Sequence, residues 1–204
     1  AAEALVLADK RMYQAKEEGN SFHYYAPEMD LRGAEILDLE IDLRHALERN
    51  ELLLHFQPKV DLASGEIIGA EALLRWRHPQ RGLIAPGVFV PLAEETGLIL
   101  PIGEWVLTNV CLHIKAWQNR GLPAIPIAAN LSPRQFNRVG LEEVVRRVLR
   151  EAEIDPGLLE LELTESMIMR DPQLAVTTMH QLKALGVSLA LDDFGTGYSS
   201  LNYL

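Results

Sequence analysis

The feature that most constrains this chain is an alternation in its C-terminal half. Short apolar runs at 125–131, 158–163 and 187–191 are each closed by polar or glycine-rich residues. Amphipathic stretches at 141–152 and 172–185 follow the first two runs, and a glycine-rich loop with a helix start at 199–204 follows the third. Strands alternating with helices of about 10–15 residues build parallel βα units, with the helices covering the sheet. Neither GxGxxG nor GxxxxGK[ST] follows any of these runs, so nothing points to a Rossmann or P-loop fold. The expected fold is α/β, a TIM-like (β/α) barrel.

The N-terminal half reads differently. Apolar residues at helical spacing predict a helix over 4–16, stopped by Gly19 and Asn20, and another over 27–50. A short aromatic run at 21–25 lies between them. Runs at 52–62 and 67–76, joined through Ser64 and Gly65, predict an antiparallel hairpin, so the barrel is entered through an early antiparallel strand. Helices are predicted over 87–96, closed by Gly97, and 101–119, closed by Gly121 and Pro123.

Composition narrows the function. The formal net charge is −10, which disfavours a nucleic-acid polymer as partner. Cys111 is the single cysteine, so no internal disulfide forms and a reducing cytoplasm is expected. The six histidines show no HExxH spacing, which argues against zinc. No stretch of about 18 residues is free of charge, so no membrane span is expected. The N-terminus carries Glu3, Asp9 and Lys10 and lacks the pattern of a signal peptide.

Chemistry in a barrel sits at the C-terminal ends of its strands. Side chains alternate along a strand, so Glu71, Leu73 and Arg75 share one face. Asn130 lies near the end of the 125–131 run on the face of Ala128, and Glu162 lies between two leucines and faces away from them. Asp192 shares a face with Ser188 and Ala190, and Asp193 follows at the same rim. Glu71, Asn130, Glu162 and Asp192 therefore converge from four strands. Four carboxylates and one amide make an all-oxygen site suited to hard cations. Without cations such a cluster repels itself. Two divalent ions relieve the repulsion, activate water and stabilise a phosphoryl oxygen. Singly, the residues read more plainly: Asp193 as a turn former, Glu165 as a first-turn helix carboxylate, Arg75 as half of a surface ion pair.

Five segments together resemble the EAL domain family: HFQPKVDL at 55–62, GAEALLRWRHP at 69–79, AANLSP at 128–133, ELTES at 162–166 and LDDFGTGYSSL at 191–201. They occur in the family order over about three quarters of the chain. The resemblance implies hydrolysis of cyclic di-GMP to the linear pGpG by two-metal phosphodiester cleavage. The alternative it leaves open is a catalytically silent domain that binds cyclic di-GMP as a sensor. It implies that Glu71, Asn130, Glu162 and Asp192 hold metal and that Asp193 takes the second-metal position. It also implies that Gln57, Leu73 and Arg75 contact substrate, Arg75 at a phosphate. Glu165 becomes the anchor of the 193–200 loop. The implied cofactors are two Mg²⁺ or Mn²⁺ ions, with inhibition by Ca²⁺.

Residues 8–20, ADKRMYQAKEEGN, resemble the last helix of a GGDEF domain. The expected organisation is a GGDEF C-terminal end at 1–26, a helical linker and EAL entry at 27–50, and the N-terminal portion of an EAL barrel at 51–204. The resemblance implies a homodimer with a GGDEF domain upstream, and it leaves open whether the parent also carries sensory domains or a membrane anchor upstream. It places three further strands, carrying a water-orienting Lys, a Glu and a Gln, beyond Leu204. The fragment by itself is therefore expected to be truncated and inactive.

Overall fold

The computed structural model describes residues 27–192, with side chains from Glu35 onward. The predicted helices at 4–16 and 199–204, the run at 21–25, the GGDEF-like segment, Asp193 and the 193–200 loop lie outside the described residues. The described chain divides into two units at Ile41/Asp42. Helix α1, Pro27–Ala46, crosses that division.

From Asp42 onward the described residues build a six-stranded sheet. Strand β1, Leu52–Val60, turns through Asp61–Glu66 into β2, Ile67–His78, and the two pair antiparallel. The turn is local chemistry. The Asp61 carboxylate accepts bonds from the Ala63 and Ser64 amides and the Ser64 hydroxyl, and Gly65 takes a φ of 75°. Those bonds, the Ser64 amide first, hold the Asp61 carboxyl below its ordinary range. A short strand β3, Gly82–Ile84, which the sequence reading leaves out, pairs with the end of β2.

Helices α2, Pro86–Thr96, and α3, Ile99–Asn119, lead to β4, Ile127–Asn130. A one-turn helix α4, Pro133–Phe136, precedes α5, Leu141–Ala152. Strand β5, Leu159–Thr164, runs into a short α6, Glu165–Arg170, then α7, Pro172–Ala184, and β6, Ser188–Asp192. Strands β2, β4, β5 and β6 are parallel neighbours in that order, and β1 pairs with β2. The βα alternation read from the sequence and its antiparallel entry are both present.

The two faces of the sheet differ in chemistry. Ala72, Trp76, Ala129, Leu159, Leu161 and Leu163 are buried on the face toward the helices. Ile102, Leu107, Val110 and Ile114 of α3 and Val145 and Val148 of α5 supply the opposing apolar surface. Glu71, Leu73, Arg75, Glu160 and Glu162 take the other face, because parity along each strand leaves them no alternative. That face is concave. Lys59 on β1 reaches Glu160 and Glu162 on β5, three strands away; in a flat sheet these strands would lie about 14 Å apart, beyond a lysine's reach.

Candidate active site on the concave face

Register brings the sequence-predicted residues together. Gln57 lies opposite Glu71, Glu71 beside Ala128, Asn130 beside Glu162, Glu162 beside Ala190, and Thr164 beside Asp192. Residues level across a sheet share a face. Gln57, Glu71, Asn130, Glu162 and Asp192 thus converge from five strands. Leu73 and Arg75 continue the Glu71 face along β2, both half-buried. Glu165 opens α6 one residue past β5 and engages another group there.

Contacts within the cluster are specific. The Asn130 amide nitrogen donates to Glu71 Oε1 at 2.8 Å. The Lys59 ammonium donates to Glu160 Oε1 and Glu162 Oε1, both at 2.8 Å. Glu162 is 8% exposed, and its second oxygen, Oε2, is buried without a hydrogen-bond partner. Burial pushes the Glu162 carboxyl above its ordinary range; the Lys59 ammonium opposes this, and the charges of Glu71 and Asp192 add to it. Burial pulls the Lys59 ammonium down, but its two carboxylates outweigh that and hold it above its ordinary value. Arg75 Nη1 donates to the Leu74 carbonyl at 2.8 Å, which fixes one edge of its guanidinium.

Among the described residues, no three Asp, Glu, His or Cys side chains are gathered closely enough to enclose a metal ion. Glu71 and Glu162 each have one oxygen committed to a neighbour. The donor set nevertheless fits a hard divalent cation. Its ligating atoms are oxygens, and an unpartnered carboxylate oxygen in a buried place is what a cation would satisfy.

Sequence reading assigned no role to Lys59 or Glu160. The signal was present: Lys59 has the parity of Gln57 in β1, and Glu160 that of Glu162 in β5. It also missed a cavity of about 720 Å³ lined by Glu94, Pro133, Arg134, Asn137, Arg170, Asp171 and Leu174. None of the converging carboxylates lines it.

Parallel strands joined by helices, entered through an antiparallel strand and lined with carboxylates on the concave face, define an α/β protein of the TIM-barrel class. Within that class the chain belongs to the EAL domain family, whose sequence model matches residues 40–204. It is 50% identical over 203 residues to the bifunctional diguanylate cyclase/cyclic di-GMP phosphodiesterase MucR of Pseudomonas aeruginosa, covering 99% of this chain and 30% of that protein. It is 42% identical over 198 residues to the cyclic di-GMP phosphodiesterase PdeR of Escherichia coli, covering 97% of this chain and 30% of that protein. The chain thus spans about a third of the length of these curated relatives. The PaMucR phosphodiesterase structure in complex with c-di-GMP superposes with a TM-score of 0.77 at 52% identity, over 83% of this chain and 67% of that one.

Proposed function

We propose that the protein carrying this chain is a metal-dependent phosphodiesterase that hydrolyses cyclic di-GMP to pGpG. The observation that carries the reading is the buried, unpartnered Oε2 of Glu162, placed among Glu71, Asn130 and Asp192 in a chain of this family. Glu71, Asn130, Glu162 and Asp192 would hold one ion of a Mg²⁺ or Mn²⁺ pair, with Asp193 at the second. When bound, the ions supply a water nucleophile at neutral pH and charge stabilisation on the phosphoryl oxygens.

The chain's own residues have distinct parts. Asn130 donates one amide hydrogen to Glu71, which fixes the Glu71 carboxylate and leaves the Asn130 carbonyl oxygen as the ligating atom. Arg75, steadied by the Leu74 carbonyl, offers its remaining donors to a phosphate. Gln57 and Leu73 flank Glu71 on the same face, where they would contact the nucleotide. Glu165 would anchor the 193–200 loop. The domain works in the cytoplasm, as a homodimer, with a GGDEF domain upstream.

The test is product formation by the full-length protein. It should convert cyclic di-GMP to pGpG with Mg²⁺ or Mn²⁺, lose turnover on chelation and be inhibited by Ca²⁺. Glu71→Ala should lower kcat by about 10²-fold or more, as loss of a metal ligand does. Undiminished turnover in that variant would overturn the assignment of Glu71. Binding of cyclic di-GMP without product, with metal supplied, would establish the sensor reading instead. The chain 1–204 alone should show little turnover, since the resemblance places the water-orienting Lys beyond Leu204.

A further inference from the structure

Lys59 is a cation set among the carboxylates of the site. It enters from β1, which runs antiparallel to β2. Its cross-strand partner is Gly69, which has no side chain, and the residue level with Glu71 on β4 is Ala128. Small residues thus clear the route from β1 to β5. A Cβ on Gly69 would lie 3.1 Å from the Pro126 carbonyl and 3.9 Å from the Lys59 Cβ, so this passage has little room to spare. At its end the ammonium bridges Glu160 Oε1 and Glu162 Oε1, each at 2.8 Å.

The bridge is asymmetric where it matters. The Glu162 side chain is 9% exposed, against 26% for Glu160. One Glu162 oxygen is taken by Lys59 and the other is buried and unpartnered. A carboxylate fixed through one oxygen has a defined direction for the second. Groups that orient metal ligands in this way typically control affinity by about 10–100-fold.

We propose that Lys59 is a positioning residue for the metal site: by fixing Glu162 Oε1 it presents Oε2 to the cation. The role rests on the reading of this site as metal-binding. Glu160 is the second foot of the bridge and keeps the ammonium from swinging toward solvent.

The experiment is Mn²⁺ titration of the full-length protein by calorimetry, for wild type, Lys59→Met and Lys59→Arg, alongside turnover at graded Mn²⁺. Lys59→Met should weaken Mn²⁺ binding by about 10-fold or more. Its kcat should fall at low Mn²⁺ and recover at high Mn²⁺, with KM for cyclic di-GMP unchanged. Lys59→Arg keeps a charged donor and should restore most of the affinity. A purely structural lysine would instead lower the melting temperature and leave metal affinity in the folded fraction unchanged. If Lys59→Met fails to fold, the comparison of Lys59→Arg with Lys59→Gln carries the test, and equal Mn²⁺ affinity in those two overturns the role. Wild-type affinity in Lys59→Met overturns the role of Lys59 alone. Absence of Mn²⁺ binding by the wild type overturns the metal site and this role with it.

Discussion

His113, on α3, packs its ring edge-on against Phe56 of β1 at 5.0 Å between centroids, in a cluster with Trp117. Burial lowers its pKa from 6.5, and the charge of Arg120 adds to that. The folded ring prefers to be neutral. Below pH 6.5 the unfolded chain takes up the proton more readily, so this contribution to stability is lost as pH falls through the folded value. Melting temperatures measured from pH 8 down to about 5 should fall, less steeply in His113→Asn. Cys111 lies on the same helix, fully buried, and burial pushes its thiol up to about 12. A thiol reagent should label it only after denaturation, and rapid labelling of the native protein would contradict that burial. Parity and residue type made Glu71 and Glu162 legible in the sequence. Lys59 carries the parity of Gln57, but an isolated strand lysine reads as a solvent-facing group until the curvature of the sheet is known.

At the scale of elements, two contacts fix where the chain turns. Gln135 of α4 accepts from the Ser132 amide and hydroxyl through Oε1 and lies against Gly103 of α3. A Cβ at position 103 would fall 1.9 Å from Gln135 Nε2. Gly103→Ala should therefore cost about 1–3 kcal/mol in urea denaturation, and Gln135→Ala in the same chain should recover part of it. His78, 2% exposed, accepts from the Gln80 and Arg81 amides at Nδ1, which leaves Nε2–H to donate to Asp42 at 3.1 Å. Asp42→Ala strands that buried donor and should cost about 1–3 kcal/mol by the same measurement. Neither contact has a sequence period. The short elements β3, α4 and α6 have three, four and six residues, too few to repeat a pattern. Longer elements were legible for the opposite reason: α2 ends where Gly97 takes a φ of 82°, and α5 spans the 141–152 stretch its amphipathic spacing predicts.

At the scale of the whole molecule, β1 and β6 end the path of the described sheet, and β3 pairs with β2 alone. Leu191 on β6 is 43% exposed. Unpaired strand edges with apolar side chains invite pairing with a second chain. The chain 1–204 in solution should self-associate with rising concentration, by light scattering, despite its net charge of −10. A monomer at every concentration would contradict this. No helix among the described residues is long and apolar enough to cross a membrane. The hairpin that begins the sheet has a use of its own. Its turn, Asp61–Glu66, precedes β2 and so lies at the end of the parallel strands opposite Asn130 and Asp192; Leu62 at its tip is 99% exposed. A tether or fluorophore attached there would hold the domain by its base, with the opposite rim, where Asn130 and Asp192 sit, open to the liquid.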